Sequence, residues 1–180
     1  ASRSGPAEAE SVENRSDPFL WPLLWLAIPV FFLWLGANTI WDANEAFYVE
    51  TPRQMLQSGD YVAPSFNGEP RVNKPILSYW IVAAFYHLFG VSVGVERLAI
   101  ALGAMLIILS AFLIGRALRS TATGVLAALI VASAPRVVMH SRRIFIDVYI
   151  TAFTSLALAG FVLAERHPER RRRYLLLTYL

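Results

Sequence analysis

The chain has 180 residues, 56% of them hydrophobic, with a mean hydropathy of +0.49 and a formal charge of +3. Apolar runs of bilayer length in such a composition define a polytopic membrane protein rather than a soluble domain. No cysteine is present, which rules out a disulfide framework and thiolate metal sites; the positive charge comes largely from Arg170–Arg173, a mark of membrane topology rather than of a nucleic-acid surface.

Residues 1–18 mix Ser, Glu, Arg and Pro with almost nothing to bury, which predicts a disordered tail. The run 19–41 then carries no charge over 23 residues and reads as a spanning helix rich in tryptophan. Pro22 falls in its first turn, where a missing N–H is tolerated, whereas Pro29 is interior and should kink it. The run is too long for a signal peptide and lacks a small-residue cleavage site, so it is expected to stay as a membrane anchor.

Residues 42–75 form the one long polar stretch, with the acids Asp42, Glu45, Glu50, Asp60 and Glu69, the bases Arg53, Arg71 and Lys74, and turn formers at Gly59-Asp60, Pro64, Asn67-Gly68 and Pro70. A loop of this length with its own aromatic residues is expected to be ordered and functional. Within it, 45–58 fits a surface helix with Glu50, Arg53, Gln54 and Gln57 on one side and Phe47, Tyr48, Thr51, Pro52, Met55 and Leu56 on the other. Pro52 is its weak point, where Thr51 would recap a restarted helix.

The segment 76–89 has 14 residues. As a helix it reaches about 21 Å, against a hydrocarbon core of about 30 Å, so it should lie at the interface with Tyr79, Trp80, Phe85 and Tyr86 as an aromatic belt. Spans follow at about 95–115, 121–139 and 144–164, another starts at 174, and 42–94 becomes one outer loop. With the N-terminus inside, this arrangement puts Arg170–Arg173 on the inner side, as positively charged segments prefer; a crossing 76–89 would invert it.

That topology gathers Asp42, Glu45, Lys74, Arg142, Arg143 and Asp147 at one face. Asp147 lies three residues into an apolar run, where an acid is costly and by default functional. A structural ion pair with Arg142 or Arg143 is the alternative. Asp42 and Glu45 are spaced to share a helix face, or Asp42 or Asn44 simply caps the helix that follows. Lys74 is placed to hold a phosphate, or else contacts lipid headgroups. His140 reads as an interfacial polar residue. No cofactor is assigned: no His/carboxylate cluster is local in sequence, and a divalent metal is left open.

Trp41-Asp42-Ala43-Asn44-Glu45-Ala46-Phe47-Tyr48, Arg53-Gln54-Met55-Leu56-Gln57-Ser58-Gly59-Asp60-Tyr61, Asn67-Gly68, Asn73-Lys74-Pro75, Tyr79-Trp80, Leu88-Phe89-Gly90 and Arg97-Leu98 together resemble the N-terminal part of bacterial GT-C membrane glycosyltransferases. The branch is that of protein mannosyltransferases and the lipid A aminoarabinose transferase. The resemblance implies an all-α polytopic bundle in the inner membrane whose first outer loop holds two juxtamembrane helices. It also implies a polyprenyl-phosphate-linked sugar donor and transfer, at the outer face, to a lipid, glycan or protein. The family's acidic pair falls on Asn44-Glu45, its loop lysine on Lys74 and the acid of its second outer loop on Asp147. Asn44 departs from the first acid of the pair, with Asp42 as the nearby substitute, and Asn73 replaces an acid of the aminoarabinose branch. On this reading Asp42 or Glu45 is the base, Lys74 with Arg142 or Arg143 holds the leaving phosphate, and Asp147 orients one of these groups. Membrane lipids and other membrane subunits are the expected partners, and nucleic acid is not. Because the family's members run to several hundred residues, a second reading is a truncated relative kept as a non-catalytic subunit of a membrane complex.

Overall fold

The computed structural model describes residues 20–37, 40, 43–72 and 74–179. The predicted tail, the last residue of the first apolar run, Asp42 and Asn73 lie outside them. The fold is all-α apart from one short hairpin, and the chain divides into two compact units, one made of residues up to Val30, Met105–Pro135 and the stretch from Thr151, the other of Phe31–Ala104 and Arg136–Ile150.

In the first unit, helix α1 (Leu20–Ala27) packs on helix α5 (Thr121–Ser133), and Trp21 meets Phe112 with ring centroids 5.7 Å apart. The sequence predicts one helix through residue 41 kinked at Pro29; instead the α-helix stops at Ala27 and a 3-10 turn runs Ile28–Phe31. Pro29 has no N–H to continue the ladder. Helix α4 (Val93–Leu118) is long and apolar enough to cross a membrane, and its end closes tightly on α5. A Cβ on Gly124 would stand 2.6 Å from the Phe112 carbonyl oxygen, so only glycine permits this approach. The Ser120 hydroxyl caps α5 by accepting from the Thr123 amide at 3.2 Å.

The expected span at 121–139 is broken: α5 ends at Ser133, and helix α6 (Pro135–Ser141) departs at 65°. Pro135 supplies the reason, since it cannot donate back into α5 yet suits the first turn of a new helix. Helix α7 (Asp147–Arg166) is the second helix of membrane length, and helix α8 (Arg171–Thr178) folds back on it in the first unit, near Gly160.

The second unit is organised by the polar loop. Helix α2 (Ala43–Ser58) runs unbroken through Pro52, with Glu45, Tyr48, Thr51, Pro52 and Met55 buried as the wheel places most of them. Thr51 does not recap it; its hydroxyl bonds the Phe47 carbonyl one turn back at 2.9 Å. Gly59, at φ +72°, ends the helix, and the Asp60 carboxylate accepts from the Val62 and Ala63 amides at 2.9 and 3.0 Å. Strands β1 (Ser65–Phe66) and β2 (Glu69–Pro70) then pair antiparallel across Asn67-Gly68, whose φ values of +53° and +83° are those of a type I′ turn.

Helix α3 (Ile76–Phe89) packs on α2 through Tyr79, Val82, Ala83 and Tyr86, one face at helical spacing. This corrects the aromatic belt. Tyr79 and Tyr86 point inward with their hydroxyls among other polar groups, while Trp80 stays exposed and donates its indole N–H to the Tyr61 carbonyl at 2.6 Å.

Candidate functional site

The polar loop and the start of α7 meet at one ion pair. The Lys74 ammonium donates to both oxygens of Asp147, at 2.7 and 2.9 Å, across 73 residues of sequence. Backbone geometry delivers each partner. The hairpin and Pro75 aim Lys74, and Asp147 opens α7. The acid is therefore not sunk inside a helix, as its place in the apolar run suggests: Ile144 and Ile146 are buried in the turn before it, and the carboxylate sits at the helix N-terminus, where the backbone dipole favours negative charge.

The pair is reachable, with 25% of the Lys74 side chain and 40% of Asp147 exposed. An ion pair so open to water contributes about 0–1 kcal/mol to stability, so it can be exchanged for another anion at small cost. Hydrogen bonding to Asp147 is the main reason that the Lys74 pKa lies above its ordinary value, against a smaller opposing effect of burial, and the Tyr48 hydroxyl stands beside the ammonium. Lys74 stays cationic throughout the neutral range.

Near this pair lies a second cation, Arg71, one of the loop bases that the sequence pattern does not bring into the site. Its guanidinium lies 4.0 Å from the Phe47 ring centroid and 6.0 Å from that of Tyr48. Its Nε is buried, and its guanidinium stands within hydrogen-bonding reach of the buried Tyr79 hydroxyl. Burial pushes the Tyr79 phenol above its usual range, with Arg71 and Lys74 both pulling it back, so the hydroxyl is protonated and within reach of both charges.

Glu45 has different neighbours. Its side chain is 3% exposed, its Oε1 accepts from the Ile144 amide at 3.2 Å, and its Oε2 faces Arg97 Nη2 at 3.7 Å. Arg97 also donates to the Leu35 carbonyl at 3.0 Å. Glu96, next to it in sequence, accepts from the Tyr86 hydroxyl at 2.6 Å and feels the charges of Glu45 and Arg97. Glu45 thus binds the turn that leads into Asp147 rather than standing open beside Lys74. The sequence signal for this cluster is the Glu96-Arg97 dipeptide at the head of a membrane-length apolar helix, where ionisable residues are costly and need partners.

Arg142 donates to the Leu33 carbonyl at 3.1 Å, and the Arg143 carbonyl accepts from the Phe145 amide at 3.0 Å, so both residues build the turn between α6 and α7. Asp42 lies outside the described residues. Among the described residues no group of three or more His, Asp or Glu could hold a metal ion.

An all-α fold with membrane-length helices, and a polar loop that carries a lysine to a helix-opening carboxylate, defines an integral membrane protein with its polar chemistry gathered on that loop. The chain belongs to the dolichyl-phosphate-mannose-protein mannosyltransferase family, whose pattern matches residues 19–180. It is 36% identical to an uncharacterized protein of Aquifex aeolicus over 139 residues, covering 75% of this chain and 28% of that protein. It is 32% identical over 162 residues to the undecaprenyl phosphate-alpha-4-amino-4-deoxy-L-arabinose arabinosyl transferase of Pseudomonas paraeruginosa, covering 89% of this chain and 30% of that one. Its fold matches crystal structures of ArnT from Cupriavidus metallidurans, in the apo state with a TM-score of 0.82 at 24% identity and bound to undecaprenyl phosphate with 0.77 at 25%. Both alignments cover 89% of this chain and 30% of that protein, so the chain spans under a third of the relatives it matches. The resemblance to the N-terminal portion of GT-C glycosyltransferases is borne out.

Proposed function

We propose that this chain is the N-terminal membrane portion of a glycosyltransferase that moves a sugar from a polyprenyl-phosphate donor to a lipid, glycan or protein acceptor at the outer face of the bacterial inner membrane. Family membership and the likeness to an ArnT bound to undecaprenyl phosphate support the donor class. The observation that carries the reading is the Lys74–Asp147 pair, an exchangeable cation beside a carboxylate.

In the proposed reaction a carboxylate takes the proton of the acceptor hydroxyl, or positions an acceptor phosphate. The acceptor oxygen attacks the anomeric carbon, the bond from that carbon to the phosphate oxygen breaks, and the electron pair leaves on the polyprenyl phosphate. Lys74, with Arg142 or Arg143, stabilises the departing charge. Asp147 holds Lys74 until the phosphate arrives and then orients it. The base on this reading is Asp42 or Glu45; because Glu45 is engaged with Arg97 and the Ile144 amide, a role for it runs through the turn before Asp147.

The full-length protein, supplied with undecaprenyl phosphate carrying 4-amino-4-deoxyarabinose or mannose, should release free undecaprenyl phosphate. A folded protein that releases none from either donor, with lipid, glycan and protein acceptors offered, would sink the reading and favour a non-catalytic subunit.

A single site requires 42–94 to be one outer loop, with the N-terminus in the cytoplasm and with the first apolar run, α4, the bent α5–α6 pair and α7 each crossing the bilayer once. Cysteines placed at Ser65 and Ser92 should be labelled by an impermeant thiol reagent from outside, and cysteines at Ser120 and His167 only after the membrane is opened. The motive is the 14-residue α3, about 21 Å long against about 30 Å of hydrocarbon. Protection at Ser92 with access at His167 would put Asp147 and the loop on opposite faces and end the single-site mechanism.

A further inference from the structure

We infer that Tyr149, seated on Gly103 of α4, is a positioning residue that sets Asp147 against Lys74 and so fixes how firmly Lys74 keeps its proton. The inference rests on the reading of the Lys74–Asp147 pair as the centre of the chemistry, and adds the part that holds the pair in register.

Asp147 is the first residue of α7, with no earlier turn of that helix to fix its angle. An ion pair this open to water does not hold a helix end in place by itself, so its register has to come from buried packing. That packing lies on the inner side of the same turn. Tyr149 is 3% exposed and Val148 8%, whereas 40% of the Asp147 side chain is open. At about 100° per residue, positions 147 and 149 stand about 200° apart, so the carboxylate and the tyrosine ring occupy opposite sides of one helical turn. A push on the ring therefore moves the carboxylate along the same line.

The seat is close. A Cβ on Gly103 would stand 3.2 Å from both Cδ1 and Cε1 of the Tyr149 ring and 3.4 Å from Cγ1 of Val148. Glycine thus lets two consecutive residues of α7 rest on the α4 backbone, and a side chain there forces the ring back by a few tenths of an ångström. The turn has little slack to absorb such a shift. The Val148 amide donates to the Phe145 carbonyl and the Tyr149 amide to that of Ile146, each at 3.1 Å, while Ile144 and Ile146 are buried beneath them. Close-packed interiors transmit displacement rather than cushion it. The ring carries the placement, since the Tyr149 hydroxyl is near enough to feel the charge of Glu96 yet makes no hydrogen bond.

Lys74 is the only lysine in these 180 residues, and its bond to Asp147 is the main cause of its raised pKa. The pH dependence of its acylation, followed by mass spectrometry of its peptide in the full-length protein in nanodiscs, therefore reports where Asp147 stands. Asp147→Asn sets the limit: with the carboxylate gone, the ammonium loses its proton more readily and the midpoint moves to lower pH. Gly103→Ala should move the midpoint part of the way and lower kcat about tenfold, since a misplacement of about 1 Å costs on the order of 10²-fold and this one is smaller. Tyr149→Leu should act in the same direction, and Tyr149→Phe should keep the parent's midpoint. Gly115→Ala controls for destabilisation alone. Its Cβ would stand 2.9 Å from the Gly124 Cα, further along α4 and in the other unit, so it should lower the melting temperature without moving the Lys74 midpoint. If Tyr149→Leu fails to fold, Gly103→Ala decides. A folded Gly103→Ala protein with the parent's midpoint would overturn the inference, as would an equal shift in Gly115→Ala. A shifted midpoint with full turnover would keep the positioning role and overturn instead the reading of the pair as the centre of the chemistry.

Discussion

Lys74→Met and Asp147→Asn, introduced separately into the full-length protein, are each expected to lower kcat/KM for a polyprenyl-phosphate sugar by about 10²-fold or more, the usual scale for losing one charged partner of a transition state. The double variant should lose no more than the worse single one. The two side chains act as a unit, since Asp147 presents the ammonium through bonds of 2.7 and 2.9 Å, and groups that work through one another do not contribute additively. Stability should barely move, because a pair this exposed contributes about 0–1 kcal/mol. Steady-state kinetics with the three variants, beside their melting curves, separates the roles. Multiplying losses in the double variant would mean that the residues act independently, and unchanged turnover in both singles would remove the pair from the chemistry.

Much of this architecture is legible from local physics in the sequence. Asn67-Gly68 and Gly59-Asp60 each dictate their own turn, and both stand where the sequence puts them. Helix α2 follows from its wheel, and Lys74 and Asp147 each stand out, one by its loop and one by its apolar surroundings. Their union is not legible. Asp147 has two arginines within five residues as nearer partners, and nothing local favours a lysine 73 positions away. Pro135 shows the opposite failure, since the break it causes is readable in principle but hidden inside a run of bilayer length. Composition alone places Tyr79 and Tyr86 in an interfacial belt, because aromatic residues on a short apolar helix look alike at that level. Only the packing of α3 on α2 tells the inward tyrosines from the outward Trp80.

Arg97→Met is expected to destabilise the protein by about 3–5 kcal/mol, the scale for stripping a buried charge of its partner. Arg97 and Glu45 are each 3% exposed and face one another at 3.7 Å, and Glu96 lies close enough to feel both. Removing the guanidinium takes the facing cation from the buried Glu45 carboxylate, with Glu96 beside it, and frees the Leu35 carbonyl that it bonded at 3.0 Å. Glu45→Gln should cost less, because the amide oxygen can still accept from the Ile144 N–H while the charge imbalance shrinks. The combination of Glu45→Gln with Arg97→Met should recover part of the loss, since taking away both members of a buried pair is often close to neutral where taking one is not. The order of melting temperatures in detergent is then parent, Glu45→Gln, the double variant and Arg97→Met. Turnover adds the second readout. If Glu45 acts through the turn that carries Asp147, Glu45→Gln loses activity and stability together, and conditions that restore the fold restore part of the rate. A Glu45→Gln protein that melts like the parent yet has lost its turnover would return Glu45 to the role of base, and an Arg97→Met protein as stable as the parent would show that the buried cluster does not hold the loop.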